Sequence, residues 1–249
     1  MGKRQRLDLL LVERQLVPSR EDGRRRILAG EILVNQQPVT KAGNLIDAAA
    51  TISVKPAHRY VSRGGDKLEK ALREFTIQVA GKSCIDIGAS TGGFTDCLLA
   101  HGAGKVNAVD VGNGQLDWQL RNDSRVLVLE RTNIRYLTPA NLPFVPELAT
   151  IDASFISLKL ILPTVRLLIA ADATVIALIK PQFEVGKGKV GKGGVVRSAE
   201  EHNRVVAEIS QASIDYGYRV LGVTQSPLLG PKGNKEFLLY LKAGVALAA

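Results

Sequence analysis

Cysteine and histidine are scarce in this chain of 249 residues, which contains two cysteines and three histidines. Two cysteines cannot build the disulfide framework of a small secreted domain, so we expect a protein of a reducing compartment. None of His58, His101 and His202 stands at the spacing from a cysteine or another histidine that is typical of metal ligands. The sequence therefore predicts no metal site.

Long apolar segments are also missing. The N-terminus starts basic and then turns apolar, as a signal peptide does, but its apolar run at residues 9–12 is short and is flanked by Asp8 and Glu13. No stretch approaches the roughly 20 apolar residues that a membrane-spanning helix needs. We therefore expect a cytoplasmic protein.

Positive charge, by contrast, is in excess, with a formal net charge of +9. Residues 1–60 contain eleven Lys and Arg against six Asp and Glu, so this first quarter of the chain carries a net charge of +5. Such an excess is typical of proteins that bind nucleic acid. A well-solvated basic surface would have the same composition, so charge alone does not decide between the two.

The first 54 residues predict two short helices followed by short strands. A leucine-rich face predicts a helix over residues 7–16, which Pro18 ends. Ser19 is placed to cap a second helix that stops at Gly30, where glycine is typical of a helix end. The strands expected after it cover residues 32–34, a segment around Val39, and residues 51–54.

Three successive arginines, Arg24, Arg25 and Arg26, lie on the second predicted helix. They cannot all face a core, and they predict a positive stripe suited to phosphate oxygens, with a solvated helix surface as the alternative. Residues 6–43 resemble the α-L RNA-binding domain of a ribosomal small-subunit protein and of pseudouridine synthases, although Gln36 stands where that family often has glycine. The resemblance implies binding of structured RNA through its shape and backbone.

A glycine- and lysine-rich segment at residues 184–198 predicts a mobile basic loop that is able to clamp an RNA backbone. Together with the N-terminal charges it completes the predicted RNA contacts. The residues predicted to make them are Arg4, Arg6, Arg20, Arg24, Arg25, Arg26, Lys41, Arg63, Lys187, Lys189 and Lys192.

Beyond a proline-containing linker at residues 55–63, apolar strands alternate with helical segments. This alternation predicts an α/β domain in which helices cover both faces of a mostly parallel, Rossmann-like sheet. We therefore expect a small α+β RNA-binding domain over residues 1–58 and a Rossmann-like domain over residues 59–249. The seven strands expected in the second domain cover residues 84–87, 106–111, 126–129, 148–151, 175–179, 219–223 and 237–241.

The segment CIDIGASTGGFTDCLL, residues 84–99, joins a buried strand to a helix through a glycine-rich turn. Its spacing matches neither the dinucleotide-binding nor the P-loop pattern. It resembles motif I of S-adenosylmethionine methyltransferases, and its GGFT continuation resembles the FtsJ-like group that methylates ribose. Asp110, at the end of the second strand, is suited to accept hydrogen bonds from the ribose of such a cofactor. The cofactor-binding residues that we predict are Asp86, Gly88, Ala89, Ser90, Gly92, Gly93, Phe94, Asp110 and Val111.

Charged residues also follow three later strands, where an open α/β sheet faces its ligand crevice. Residues 60–241 resemble the hemolysin A/TlyA family of ribosomal RNA 2′-O-methyltransferases through stretches such as YVSRGGDKL, KPQFEVGKGKVGKGGVV and GPKGNKEF. The resemblance implies a seven-stranded S-adenosylmethionine methyltransferase domain that acts on ribosomal RNA or ribosomal subunits, with cytidine as the modified nucleotide. The Lys-Asp-Lys-Glu catalytic set of the family falls on Lys67, Asp152, Lys180 and Glu236.

The chemistry of ribose methylation suggests roles for these four residues. The 2′-hydroxyl must lose its proton as it attacks a methyl group, and a lysine accepts that proton only when it is neutral. We predict that Lys180 is the base, that Asp152 and Glu236 orient its amine, and that Lys67 holds the target ribose or phosphate. The Pro-Pro motif of amino-group methylation and a cysteine placed for cytosine C5 methylation are both missing.

Three other functions stay open at this stage. A membrane-active cytolysin is suggested by the family name, but no long amphipathic helix, barrel-like alternation or secretion signal supports it. A non-catalytic RNA-binding protein would not be expected to keep Asp86, Asp110 and the four charged positions. A ribose methyltransferase of transfer RNA would differ in substrate alone.

Overall fold

The computed structural model describes residues 4–28, 30–54, 59–186, 190–191 and 193–244. The chain divides into two compact units, Met1–His58 and Arg59–Ala249. Residues 55–58 of the predicted linker lie outside the described part of the chain. The assignment of RNA binding to the first unit and of catalysis to the second stays a prediction.

The first unit consists of two helices and two small antiparallel sheets. One sheet has the order β3–β2–β5, and the other is the pair β1–β4. The sequence analysis did not predict β1 and β4, because each is three residues long and has no alternation of apolar and polar residues. The elements are β1 Arg4–Arg6, α1 Leu7–Glu13, α2 Arg20–Leu28, β2 Ile32–Val34, β3 Gln37–Pro38, β4 Leu45–Asp47 and β5 Ile52–Val54.

The helices of this unit begin and end for local reasons. α1 is shorter than the predicted helix over residues 7–16, because the chain takes a left-handed conformation at Gln15, where φ is 55°. Ser19 caps α2 as predicted, since its Oγ accepts the amide of Asp22 at 3.1 Å. Gly30 follows α2 with a φ of 69°, a conformation that favours glycine. A small core then joins α1, α2 and β2 through Leu7, Leu11, Val17, Ile27, Ile32 and Val34.

The second unit is an α/β domain around one seven-stranded sheet. All seven strands were predicted, and their bounds differ from the predicted ones by at most two residues at either end. The strands are β6 Ser83–Ile87, β7 Lys105–Val109, β8 Val126–Leu129, β9 Leu148–Ile151, β10 Thr174–Ile179, β11 Tyr218–Gln225 and β12 Phe237–Ala243. The helices are α3 Gly64–Glu74, α4 Gly93–Ala100, α5 Trp118–Arg121, α6 Leu162–Leu168, α7 Pro181–Glu184 and α8 Ala199–Asp215.

The strand order, β11–β12–β10–β9–β6–β7–β8, determines where a ligand can bind. Strands β6 to β10 are parallel, whereas β12 lies antiparallel between β10 and β11. The chain runs outward from β6 to β8 and then returns to β9 on the other side of β6. Parallel sheets bind ligands outside the carboxyl ends of the strands at such a reversal. The expected site therefore lies above β6 and β9.

Both faces of this sheet are covered by buried apolar residues. The central strands β9 and β10 are buried along their whole length, as expected of parallel strands with helices on both sides. Among the described residues, no helix combines the length and the apolar character that crossing a membrane requires.

Candidate active site

Two pockets open above the carboxyl ends of the parallel strands, and each has a volume of about 470 Å³. The pocket that we call the Asp110 pocket is lined by Asp110, Val111 and the turn after β8. The other, called the lysine pocket, is lined by Lys67, Lys180 and the loop before β12. Residues that line both pockets are Gly88, Ser90, Asp152 and Ser154. The pockets therefore share a wall formed by the ends of β6 and β9.

Gly88 brings the ends of β6 and β9 together. Its φ is 82°, and a Cβ at this position would lie 2.8 Å from the main-chain oxygen of Asp152. Only glycine combines this conformation with so close an approach. The loop that it begins divides the predicted cofactor residues between the two pockets. Gly88 and Ser90 line both, Asp110 and Val111 line the Asp110 pocket, Ala89, Gly93 and Phe94 line the lysine pocket, and Asp86 and Gly92 line neither.

Asp110 accepts two main-chain hydrogen bonds at the end of β7. The amide of Ser90 donates to its Oδ2 at 2.8 Å, and the amide of Gly112 donates to its Oδ1 at 2.7 Å. Each carboxylate oxygen keeps a further lone pair, so the group is able to accept hydrogen bonds from two hydroxyls of a ligand. The carboxylate is also held in one orientation against the glycine loop.

Asp86 lies beneath the glycine loop and is fully buried. Its carboxylate accepts hydrogen bonds from the hydroxyls of Thr95 at 2.7 Å and Thr150 at 2.9 Å. Burial raises the pKa of Asp86 to about 6. These contacts join β6 to α4 and β9, so in this structure Asp86 supports the loop from inside the domain. A direct contact between Asp86 and a cofactor stays a prediction.

The four predicted catalytic residues all line the lysine pocket, where they form two ion pairs. The ammonium of Lys180 lies 2.5 Å from Oδ1 of Asp152 and donates a hydrogen bond to Ser154 Oγ at 2.9 Å. The ammonium of Lys67 donates to Glu236 Oε2 at 2.7 Å. Lys180 and Glu236 are 7% and 1% exposed, so both pairs are shielded from bulk water. Shielding of this kind strengthens charge interactions.

The pairing corrects one detail of the sequence analysis. Glu236 was expected to orient the amine of Lys180 together with Asp152, but its carboxylate bonds Lys67 instead. The reason is the packing of α3 against β12, which begins one residue after Glu236 and brings Lys67 beside it. Asp152 and Lys180 follow the neighbouring strands β9 and β10 and meet there.

An exposed aromatic residue stands at the rim of the Asp110 pocket. Phe155 is 90% exposed, and its φ of 63° is a conformation that side chains of its size rarely adopt. Its ring lies 5.0 Å from the ring of Phe183, which lies on α7, the helix that begins directly after Lys180. Glu184 holds the two segments together, because it accepts hydrogen bonds from Ser157 Oγ at 2.6 Å and the Leu158 amide at 2.9 Å. A flat apolar face is thus presented to solvent beside the site.

Several residues that line the pockets were not predicted from the sequence. Their common feature is that they follow β8 or β9 at the ligand edge of the sheet, which is the signal that would have found them. They are Thr132, Asn133, Ile134, Ser154, Phe155 and Ile156. These side chains are neutral, and for that reason a search for charged residues at strand ends did not select them.

One cluster away from the pockets corrects the expectation that no histidine stands at metal-ligand spacing from a cysteine. Cys97 and His101 lie one turn apart at the end of α4, and their ligand atoms and those of Glu69 lie within 4.8 Å of one another. The carboxylate of Glu69 contacts Arg59 at 2.9 Å, Tyr60 at 2.6 Å and His101 at 2.5 Å. Burial raises the pKa of the Cys97 thiol to about 12. Through Glu69, on α3, these hydrogen bonds join Arg59 and Tyr60 to His101 at the end of α4.

The predicted RNA-binding arginines of the first unit differ in their contacts. Arg6 and Arg20 both form ion pairs at 3.0 Å with Asp8, whose side chain is fully buried. The hydrogen bond from Arg6, followed by that from Arg20, lowers the pKa of Asp8 to about 2. The two arginines thus stabilise the unit by neutralising a buried carboxylate. Contacts between these side chains and RNA stay predictions.

On α2 the three successive arginines do not form one stripe, because consecutive helical residues point about 100° apart. Arg26 is half-buried and bonds Asp22 at 2.9 Å, and Arg25 also pairs with Asp22. Arg24 is exposed and shares a shallow groove with Arg20, Arg25, Glu21 and Leu28. The exposed basic face of α2 therefore consists of Arg20, Arg24 and Arg25.

The remaining predicted RNA contacts fall in three places. Arg4 and Lys41 are exposed in the first unit. Arg63 is exposed at the start of α3 and lines the lysine pocket. Lys187, Lys189 and Lys192 lie outside the described residues.

The seven-stranded sheet and the two pockets at its ligand edge place the second unit in the class of Rossmann-like methyltransferases. The chain belongs to the FtsJ-like methyltransferase family, whose model matches residues 60–243. The model of the S4 domain matches residues 5–52. The resemblance to both groups that the sequence suggested is thereby confirmed.

Several relatives are similar over nearly the whole chain. A Bacillus subtilis protein provisionally named rRNA methyltransferase YqxC is 52% identical over 242 residues, which cover 96% of this chain and 86% of the relative. The 16S/23S rRNA (cytidine-2′-O)-methyltransferase TlyA of Mycobacterium tuberculosis is 46% identical and is matched over 97% of this chain and 91% of its own. A solved Streptococcus thermophilus structure, provisionally described as a hemolysin, has 43% identity and a TM-score of 0.77 and covers 98% of this chain and 90% of its own.

Proposed function

We propose that this protein transfers a methyl group from S-adenosylmethionine to the 2′-hydroxyl of a cytidine ribose in ribosomal RNA. The observation that carries the proposal is the shared wall of the two pockets at Gly88 and Asp152. A cofactor in the Asp110 pocket would place its reactive group at this wall, beside the ion pairs of the lysine pocket. The cytidine-specific rRNA activity named for the Mycobacterium tuberculosis relative supports the choice of substrate.

The residues of the Asp110 pocket fit S-adenosylmethionine. The carboxylate of Asp110 has free lone pairs for the two ribose hydroxyls, and Ile134 and Ile156 offer apolar walls for a flat base. Gly88, which lines this pocket, allows the loop after β6 to lie against the main chain of Asp152. When bound, the cofactor supplies a methyl group activated by a positively charged sulfur.

The residues of the lysine pocket are suited to hold and deprotonate the target hydroxyl. Lys180 lies where the two pockets meet, and Asp152 and Ser154 fix the position of its amine. In its neutral form this amine would accept the proton that the 2′-hydroxyl loses during attack. Lys67, held by Glu236, would bind the ribose or an adjacent phosphate oxygen.

Phe155 is placed to receive the base of the target nucleotide. Aromatic faces stack on unpaired bases, and RNA-modifying enzymes take such bases out of the helix. The ring of Phe155 is exposed, backed by Phe183, and borders the wall that both pockets share. The exposed arginines and lysines of the first unit would bind the surrounding RNA backbone.

The test is a transfer assay with S-adenosylmethionine labelled in the methyl group and ribosomal subunits that lack the modification. We expect label in 2′-O-methylcytidine after digestion, a loss of at least about 100-fold in Lys180→Ala, and a smaller loss in Phe155→Ala. Tyr136→Ala is the control for the second change, because Tyr136 is 75% exposed but lines neither pocket.

Four results would contradict the proposal. Label in a base instead of a ribose would mean a different reaction, and near-full turnover of Lys180→Ala would remove Lys180 from the mechanism. Transfer to none of the subunits, naked ribosomal RNA or transfer RNA, although the cofactor binds, would favour a non-catalytic RNA-binding protein. Lysis of liposomes by the purified protein at low concentration would instead support the cytolysin that the hemolysin names suggest.

A further inference from the structure

A buried asparagine lies in the loop that joins β11 to β12 and that also contains Glu236. Asn234 is 2% exposed, whereas the residues beside it, Gly233 and Lys235, are exposed. The sequence analysis assigned no role to Asn234, because it stands in a polar, glycine-containing turn that has the composition of a surface loop. A buried amide must be matched by hydrogen bonds, so its partners indicate what it holds.

Within the described part of the chain, the Asn234 side chain bonds three main-chain groups. Its Oδ1 accepts the amide of Val196 at 3.0 Å, and its Nδ2 donates to the oxygens of Gly194 and Pro231, both at 3.0 Å. Residues 193–197 and the loop before β12 are therefore joined by one amide group. A buried donor or acceptor without a partner is destabilising, so loss of the Asn234 amide would leave main-chain groups of both segments without these bonds.

The same residue shapes the loop on the side of Glu236. The amide of Gly230 donates to the main-chain oxygen of Asn234 at 2.8 Å, which closes the turn. Gly230 then lies against the catalytic carboxylate, since a Cβ there would be 2.1 Å from Glu236 Oε1. The carboxylate is thus confined between Gly230 and Lys67, whose ammonium bonds Oε2.

A second contact holds residues 194–196 in place. His202, near the start of α8, contacts the main-chain oxygen of Val196 through Nε2 at 3.0 Å, and its ring lies 5.7 Å from that of Phe237. Phe237 is the first residue of β12 and the neighbour of Glu236. Val196 is therefore bonded from both sides, by Asn234 through its amide and by His202 through its oxygen.

We propose that Asn234 is a positioning residue for methyl transfer, which holds the Glu236 carboxylate against Lys67 by anchoring its loop to residues 194–196. The inference rests on the proposed function, because it concerns the same ion pair. Asn234 itself lines neither pocket, so it acts on the reaction through the loop that it holds, in which Gly230, Pro231 and Glu236 line the lysine pocket. A displacement of about 1 Å in a reacting group commonly costs about 100-fold in rate.

The first test measures the anchor without any reaction. In Asn234→Ala we expect amide hydrogen exchange to be at least about 10-fold faster at Val196 and at Gly230. The amide of Val196 loses its acceptor, and the amide of Gly230 loses the turn that holds its acceptor in place. Ser213→Ala is the matched control, since Ser213 is a buried polar residue near the other end of α8 whose hydroxyl bonds Ile209. Unchanged exchange at Val196 in Asn234→Ala would overturn the proposal.

The second test measures the coupling to Glu236 in single-turnover methyl transfer. We expect Asn234→Ala to lower the single-turnover rate constant about 10- to 100-fold, while the affinities for the cofactor and for RNA change less than about 2-fold. In a Glu236→Gln background the same substitution should change the rate less than about 2-fold, because the carboxylate that Asn234 positions is already absent. Equal losses in both backgrounds would overturn the proposal.

Two further outcomes are kept distinct. If the wild-type protein transferred no methyl group to any RNA, the proposed function would fail, and the exchange experiment would still decide whether Asn234 anchors the loop. If Asn234→Ala did not fold, Asn234→Asp would replace it. The aspartate keeps an acceptor for Val196 but cannot donate to Gly194 and Pro231, so we expect the same coupled loss of kcat.

Discussion

At the scale of single residues, the two lysines of the lysine pocket carry the same charge but make different contacts. Lys180 is held by Asp152 and Ser154 at the wall between the pockets, whereas Lys67 is held by Glu236. A lysine that acts as the base must be neutral so that its amine can accept the proton of the hydroxyl, whereas a residue that only binds or orients the substrate can stay protonated. Substitution of each lysine by arginine separates these roles, because arginine keeps the positive charge but is not deprotonated in proteins and so cannot act as a base.

We therefore predict that Lys180→Arg loses at least about 100-fold in single-turnover methyl transfer, close to the loss in Lys180→Ala. Lys67→Arg should keep its rate within about 10-fold, because a charged donor remains beside Glu236. Calorimetric titration with the cofactor checks that binding is intact in both variants. A Lys180→Arg enzyme with a near-normal rate would show that Lys180 is not the base.

Two buried carboxylates make opposite contributions to stability. Burial raises the pKa of Asp86 to about 6, so the stability that it contributes is present below its unfolded pKa of 3.8 and is lost as the pH rises through 6. The hydrogen bond from Arg6 lowers the pKa of Asp8 to about 2, so its contribution is present above 3.8 and is lost as the pH falls through 2.

We predict that Asp86→Asn gains stability relative to the wild type between pH 4 and pH 7, by roughly 3 kcal/mol at most, since the pKa differs by about 2 units. Asp8→Asn should behave in the opposite way and be less stable than the wild type at pH 7, with a gap that closes in acid. Denaturant unfolding at both pH values measures the difference. A gap for Asp86→Asn that does not change with pH would contradict the assignment.

At the scale of elements, the turn from β6 to α4 determines the geometry of the shared wall. Gly88 allows the turn to touch the end of β9, from which Asp152 follows. Gly81, before β6, has a similar φ of 75°, but a Cβ there would meet nothing within 4 Å. Both glycines therefore have a left-handed backbone conformation, but a Cβ would meet the main chain of another segment at Gly88 and not at Gly81.

This difference gives a matched pair of substitutions. Both Gly88→Ala and Gly81→Ala should lose roughly 1 kcal/mol of stability from the left-handed conformation. Gly88→Ala should in addition weaken cofactor binding and methyl transfer by at least about 10-fold, because its Cβ pushes the oxygen of Asp152 away. Equal cofactor affinity in the two variants would mean that the contact with Asp152 does not shape the site.

At the scale of the whole molecule, the excess positive charge is divided between structure and exposed surface. Arg26 contacts Asp22 and Glu31 and is half-buried, whereas its neighbour Arg24 is exposed in the groove of α2. Charge that is already paired inside the protein releases fewer counterions from RNA than exposed charge does. The two arginines should therefore differ in their effect on RNA binding.

We predict that Arg24→Ala weakens binding to ribosomal RNA and lowers the slope of log affinity against log salt by about one. Arg26→Ala should leave the slope nearly unchanged and should lower the thermal stability instead. Filter binding across a salt series, beside a melting curve, measures both effects. A lower slope in Arg26→Ala than in Arg24→Ala would reverse the assignment of the basic face.

The sequence by itself determined the class of the protein, because the signals for it are local. Strand and helix periods predicted all seven strands of the main sheet, and the glycine-rich segment after β6 identified the ligand edge. The charged residues at strand ends could also be found, since the ends of parallel strands meet at one edge of a sheet. The neutral residues Ser154 and Phe155 gave no such signal and were missed.

The tertiary structure alone decided which of these residues touch. Lys67 and Glu236 are separated by 169 positions in the chain, and their ion pair exists because α3 packs against β12. The burial of Asn234 depends in the same way on the position of residues 194–196. A side chain's partners follow from packing between distant segments, which local periods and spacings do not encode.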